Sequence, residues 1–316
     1  MKYTRIHIGL FVLLSGFLGA SCSEDAAREY SFGESIPLGV EGLNLEATSA
    51  TRAGGTLVNT EGGTIRVFLT GEGGYTPMYD KTYTYAGGGW SSTDPVYVDK
   101  RTGKVVAVYD PKGLVSFGVN STLTTNALQA QAYSEDQLWY YDNTSGTGVN
   151  STNAASTFSM KCAYSRLSFS ISRNNNYPSG CKVSQIVIKP SSGGFYTSAR
   201  VDIADGSLTG TTALGYFIDT SGMPMNTNGL VAGFPDTSID LLFPAQTLAA
   251  GAGLTLTLTT DGNDYSVTVP ATKLNTLQAG VHYVVELEMA GIGMVVSGVT
   301  TAEWVPVDSN IHSQFD

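Results

Sequence analysis

Charged side chains are scarce in this chain: Lys, Arg, Asp and Glu make up 14% of its 316 residues, against about a quarter in an average soluble protein. Glycine (37 residues) and tyrosine (17 residues) are abundant instead. This composition is typical of a rigid, extracellular all-β protein rather than a helical enzyme. The net charge is −10 and the sequence contains no basic stripe, so we expect no nucleic-acid partner.

Histidine and cysteine are also rare, with three of each. Beyond the N-terminal segment, His282 and His312 lie far apart, without a cysteine or carboxylate cluster at metal-ligand spacing. The chain has no H-E-x-x-H, G-x-S-x-G, P-loop or G-x-G-x-x-G motif. We therefore predict no cofactor, no metal and no enzymatic activity. A Ser-His-Asp triad using His282 and a hydrolase using the paired carboxylates Glu286 and Glu288 remain alternatives.

Only Cys162 and Cys181 remain once the N-terminal cysteine is set aside. A hairpin that turns near residues 174–179 would pair Cys181 with a residue near Ser172, about ten positions away from Cys162. A direct cross-strand disulfide is therefore disfavoured, and we expect two buried free thiols.

No apolar run is long enough to span a bilayer, which needs about 20 residues. The longest, at residues 8–20, follows the basic residues Lys2 and Arg5 and ends in small residues just before Cys22. This order resembles the lipobox of bacterial lipoproteins. The resemblance implies a signal peptide over residues 1–21, cleavage before Cys22 and a lipid on its sulfur. An ordinary secretory signal is the alternative.

Alternating apolar residues between turn residues dominate the chain from residue 56 onward. The segment GLTLTLTTDGNDYSVTVPA predicts a hairpin with its leucines inward and its threonines in solvent. PVYVDKRTGKVVAVYD predicts a second hairpin. Residues 122–141 and 271–280 are the best candidates for short helices.

One long apolar stretch, residues 158–171, changes parity between Tyr164 and Leu167. A bulge or bend near Ser165–Arg166 would keep both sets buried, and such strands often pass between the sheets of a sandwich. We predict an all-β fold of two tandem Greek-key β-sandwich domains (transthyretin-like) with few short helices. The expected domains are residues 53–150 and 151–316, divided in a polar stretch at 143–155.

Arg52 stands in TSATRAGG and is the only Lys or Arg between Arg28 and Arg66. The surrounding residues are small, which favours entry into a protease. The arginine separates residues 22–52, a polar tether plus a short apolar strand with a slip at Glu41–Gly42, from the rest of the chain. A solvated loop charge is the alternative interpretation.

Several segments, taken in order, resemble the fimbrillin-like subunits of type V pili. They are the lipobox at Cys22, TRAGG around Arg52, the segment Trp90–Pro111, QAQAYSEDQLWYYD, FSMKCAYSRLSFSI and the C-terminal Tyr283–Trp304. The resemblance implies a lipoprotein precursor of two β-sandwich domains that is cut after an arginine. The cut releases the first strand, and a strand from a neighbouring subunit fills the groove.

The resemblance makes Arg52 the processing site and residues 35–47 the removable strand. The donor strand would come from the C-terminal region, with Ile292, Met294 and Val296 as candidates. The implied partners are other pilin subunits, an arginine-specific protease and, through the lipid, the outer membrane, and the implied role is adhesion from a cell-surface pilus. The alternatives are a pilus anchor or tip adhesin and a glycan-binding surface lipoprotein that uses Trp90 and Tyr141.

Overall fold

The computed structural model describes residues 33–46, 56–57, 59–117, 123–224, 239–291, 293–302 and 304. Cys22, Arg52 and Ile292 lie outside the described residues. Within the described ranges the regular secondary structure is β, as predicted, apart from two single-turn 3₁₀ helices, Glu72–Gly74 and Glu135–Gln137. No helix found there is long and apolar enough to cross a membrane.

All of the described strands are between two and ten residues long. They are β1 (Ile36–Pro37), β2 (Gly39–Leu45), β3 (Thr56–Leu57), β4 (Thr64–Leu69), β5 (Met78–Ala86), β6 (Gly89–Ser91), β7 (Tyr97–Val98), β8 (Gly103–Tyr109), β9 (Leu128–Gln129), β10 (Gln131–Ala132), β11 (Tyr140–Asp142), β12 (Thr147–Val149), β13 (Ala155–Cys162), β14 (Tyr164–Arg173), β15 (Lys182–Pro190), β16 (Phe195–Val201), β17 (Leu208–Ala213), β18 (Tyr216–Pro224), β19 (Ile239–Pro244), β20 (Gln246–Thr247), β21 (Leu254–Thr260), β22 (Asn263–Val269), β23 (Thr276–Leu277), β24 (His282–Ala290) and β25 (Gly293–Ala302).

The strands surround two separate hydrophobic cores. The first core lies against a sheet of order β3-β2-β13-β11-β8-β4-β5-β6, with β12 added beside β8, and contains Phe68 and Phe158. The second lies between a five-stranded sheet, β10-β19-β14-β24-β25, and a four-stranded sheet, β18-β15-β21-β22, and contains Phe169 and Phe243. Inward-facing residues on alternate positions of each strand build both cores.

The predicted passage of the chain from one sheet to another is confirmed, but its predicted position near Ser165–Arg166 is wrong, because β14 pairs with β19 there without a register shift. β13 ends at Cys162 in the first sheet and β14 begins at Tyr164 in the five-stranded sheet. Ala163 forms the break, and its N–H bonds to the Trp139 carbonyl. The chain passes from one core to the other here, whereas the division into domains at 150/151 stays a prediction, as does the Greek-key order.

Three local predictions are wrong. Residues 122–141 form β9, β10, one 3₁₀ turn and β11, and residues 271–280 contain β23, so neither is the expected helix. The predicted hairpin at 95–110 does not form, because β7 pairs with β1 while β8 pairs with β4, β11 and β12. In each case pairing with a strand distant in sequence overrides the local pattern.

Two other predictions hold. The hairpin of β21 and β22 is present, and Leu254, Leu256 and Leu258 are fully buried. Cys162 and Cys181 are free and buried. Burial raises the pKa of the Cys162 thiol to about 12, so this thiol remains protonated and unreactive at neutral pH.

Candidate assembly site: the first strand in its groove

The apolar segment that precedes Arg52 contains β1, Leu38 and β2 and is called the first strand below; β2 is built into the first sheet. β2 runs parallel to β13, with Leu43 opposite Phe158 and Leu45 opposite Met160. On its other side only the two-residue β3 pairs with it, at the Asn44–Leu45 end. Over most of its length β2 therefore depends on one described neighbour for its ladder of hydrogen bonds.

Four side chains of this segment enter the first core. Leu38, Val40, Leu43 and Leu45 are 2%, 7%, 0% and 2% exposed. The predicted slip is present, because Val40 pairs with Ser156 and Gly42 with Thr157, which leaves Glu41 without a position in the ladder. Because side chains alternate along a strand, the bulge is what places Leu43 and Leu45 on the same inner face as Leu38 and Val40.

The start of the segment is held by a closed set of hydrogen bonds around Tyr83 of β5. The Leu38 N–H donates to the Val96 carbonyl (2.8 Å), and the Val96 N–H donates to the Tyr83 hydroxyl (3.0 Å). That hydroxyl in turn donates to the Leu38 carbonyl (3.1 Å). Tyr83 is 2% exposed, so each of these polar groups needs its partner.

Charged and polar side chains gather where β2 ends. The Glu46 N–H donates to the Met160 carbonyl (2.8 Å), and burial, together with the nearby Asp142 carboxylate, raises the pKa of Glu46. Lys161 lowers that pKa, and its Nζ lies 3.3 Å from Asn143 Oδ1 and 4.8 Å from the Tyr141 ring centroid. The strand thus passes from an apolar groove to a polar rim just before the segment that contains Arg52.

The stability of this arrangement is expected to fall in alkali. Burial raises the pKa of Tyr83 from 10.0 to about 12. Below pH 10 the phenol is neutral in both the folded and unfolded chain, whereas between pH 10 and 12 only the unfolded chain ionises freely. We therefore expect the free energy of unfolding to decline across that range, as measured by denaturant titration. Tyr83→Phe should show a shallower decline than the wild type, and equal slopes would contradict the assignment.

Comparison with known proteins identifies the family. A sequence model of the family described as fimbrillin-like matches residues 51–304. The chain belongs to the fimbrillin-like family. No curated protein sequence matches it.

Solved structures share the fold of this fimbrillin-like chain at low sequence identity. A fimbrial protein from Bacteroides vulgatus is 14% identical with a TM-score of 0.51, covering 84% of this chain and 99% of its own. A candidate cell adhesion protein from Bacteroides uniformis gives 14% and 0.51, with coverage of 85% and 99%. Another from Bacteroides ovatus gives 12% and 0.50, with coverage of 87% and 100%. At these identities the likeness concerns the fold alone.

The predicted donor residues of this fimbrillin-like chain lie in an edge strand. Met294 and Val296 belong to β25, which pairs only with β24 among the described strands. Met294 is 6% exposed and packs in the second core, and Val296 is half-buried against it. β25 therefore completes its own sheet here, and release would break one strand ladder.

The predicted glycan-contact aromatics pack on the first core. Tyr141 is 4% exposed, like its neighbours Trp139 and Tyr140, so glycan contact at Tyr141 is not supported. Gly206, which follows β16 in the chain, lies against the Tyr141 hydroxyl. Trp90 of β6 is half-buried, its ring packs edge-on to Tyr85 at 5.4 Å, and β6 contacts β2. A glycan contact at Trp90 stays a prediction.

A polar cluster around His282, the histidine considered above for a triad, lies on the outer face of the five-stranded sheet; the sequence did not indicate its partners Ser168, Asp240 and Arg166. Ser168 Oγ is 2.5 Å from His282 Nε2 and also hydrogen-bonds to Asp240, whose other oxygen accepts from Arg166 (2.8 Å). The serine thus lies between the carboxylate and the imidazole, whereas in a hydrolase triad the histidine lies between the serine and the carboxylate. No group of three metal-ligating side chains occurs among the described residues.

Proposed function

We propose that this chain is a structural subunit of a cell-surface fimbria. It is exported as a lipoprotein, cut after Arg52 and polymerised by strand exchange, and the fibre serves adhesion. One observation carries the proposal: an integral core strand, β2, is attached to the rest of the fold through the segment that contains a single arginine. A single cut removes that strand and the lipid on Cys22 together.

Removal of β2 supplies a physical driving force for assembly. It uncovers the edge of β13 along residues 155–160 and the apolar pockets of Leu38, Val40, Leu43 and Leu45. An unpaired strand edge beside an apolar groove is a strong template for strand addition. When the strand comes from a neighbour, the contact is head-to-tail and does not close, so it produces a fibre.

The spacing of β25 supports the C-terminal region of a second copy as the donor. From residue 36 the first strand reads IPLGVEGL, and from residue 292 the C-terminal strand reads IGMVVSGV. Both bulge at the equivalent residue: Glu41 is skipped in the pairing with β13, and Ser297 is skipped in the pairing with β24. When the two bulges are aligned, Ile292, Met294 and Val296 correspond in sequence to Ile36, Leu38 and Val40.

A synthetic peptide of residues 290–302 tests the donor assignment. We expect it to bind the cut protein and block its oligomerisation, because it offers the apolar spacing and bulge that the groove accepts. A peptide lacking Ser297 is the matched control, since its deletion moves the later apolar side chains to the wrong face. Tryptophan fluorescence can follow binding because Trp90 packs beside β2. Equal binding of both peptides would refute the assignment.

A further inference from the structure

Leu38, which lies between β1 and β2, makes the contacts of the first strand with Tyr83 and Val96. Leu38 is bonded through both its N–H, to the Val96 carbonyl, and its carbonyl, to the Tyr83 hydroxyl. Val96 and Tyr83 are also bonded to each other. Both Tyr83 and Val96 lie after Arg52 in sequence, so both stay with the protein when the first strand leaves.

Removal of the strand would leave two groups without the hydrogen bonds that Leu38 supplies, although the Tyr83 hydroxyl would still accept from the Val96 N–H. The Val96 carbonyl would lose a donor, and the Tyr83 hydroxyl would lose its acceptor at the entrance to an apolar groove. Burial also raises the pKa of Tyr83 to about 12, so its hydroxyl keeps a proton to donate at any physiological pH. An unsatisfied buried polar group is costly, and a strand shifted by one residue would turn the backbone N–H and carbonyl at this position to the opposite side and leave both groups unsatisfied.

We infer, on the basis of the proposed function, that Tyr83 and Val96 set the register of whichever strand occupies the groove. They require a residue other than proline at this position, with its backbone N–H and carbonyl both turned toward Val96 and Tyr83. Two residues later Val40 enters the core, and three residues later Glu41 forms the bulge. Tyr83 and Val96, by bonding to Leu38, therefore fix which residue of the strand lies three positions before the bulge. In a second copy of this chain the residue at the anchored position is Met294.

The inference is independent of the identity of the natural donor, so the chain's own first strand serves as the probe. A peptide of residues 34–46 is added to the protein cut after Arg52, and its dissociation constant is measured. We expect Tyr83→Phe to weaken binding about tenfold, because the ring is retained and only the hydroxyl is lost. Tyr85→Phe, on the same strand, is the matched control and should bind as the wild type does.

A second measurement leaves the protein unaltered. Methylation of the Leu38 nitrogen in the peptide removes the donor to Val96 and is expected to weaken binding by about tenfold or more. Methylation at Ser35, which is exposed and outside the strand, should have little effect. Wild-type binding by Tyr83→Phe, or equal binding of the two methylated peptides, would overturn the inference. Failure of the cut wild-type protein to bind the unmodified peptide would instead count against strand exchange itself.

Discussion

Treatment of the purified precursor with an arginine-specific protease is expected to yield a product that begins at Ala53 and forms oligomers, whereas Arg52→Ala remains uncut and monomeric. Small residues surround Arg52, and the nearest basic residues are Arg28 and Arg66. Arg66 is half-buried in β4, where it donates to the Val115 carbonyl and lies 3.7 Å from Asp110, so access to it is poor. The effect is close to all-or-none, because the first strand either fills the groove or is free to leave.

Arg28→Ala is the control for this experiment. Cleavage at Arg28 would remove the lipid but leave β2 attached and the groove filled, so this variant should still be cut after Arg52 and should oligomerise normally. N-terminal sequencing and size-exclusion chromatography measure the two steps separately. A product that begins at Ala53 yet stays monomeric at high concentration would contradict the strand-exchange proposal.

Leu43→Ala is expected to lower the free energy of unfolding of the uncut precursor by about 2–5 kcal/mol, the usual cost of truncating a fully buried leucine. Leu43 is 0% exposed and lies opposite Phe158 in the first core. After cleavage this residue has left with the first strand, so the cut protein should be unchanged. The same variant should release the strand faster once the chain is cut, because fewer contacts hold it.

Leu69→Ala provides the matched control for that measurement. Leu69 is also 0% exposed in the first core, but it lies in β4, which stays with the protein after cleavage. It should destabilise the cut and uncut forms alike. Denaturant unfolding of the wild type and both variants, each cut and uncut, gives the comparison. If Leu43→Ala destabilised the cut protein as much as the precursor, the first strand would not have left the core.

Within the proposed function, the position of a subunit in the fibre depends on whether it is cut and whether it donates a strand. A subunit that keeps its lipid and is never cut would act as an anchor, with β2 permanently in its groove. A subunit whose groove is filled but whose β25 remains in its own sheet would end a fibre. The spacing shared by residues 36–43 and 292–299 favours a chain that both accepts and donates a strand.

The sequence by itself determined the fold class, the inward residues of most strands, the free thiols and the passage of the chain from one sheet to another. These are local properties. The alternation of apolar and polar residues at every second position predicts which side chains face inward, and a change in that alternation requires a bulge or a break in the strand. The arginine at position 52 and the apolar strand before it were also visible, because both are features of a short contiguous segment.

Only the tertiary structure decided which strands are neighbours. Alternation does not specify a partner, so β7 was expected beside β8 but pairs with β1, and nothing local indicated that β2 lies parallel to β13. The same limit concealed Tyr83, one tyrosine among 17, whose hydroxyl bonds to residues 45 and 13 positions away in the chain. The apolar strand before Arg52 could be recognised from sequence, but its groove and the groups that bond to Leu38 are products of long-range pairing.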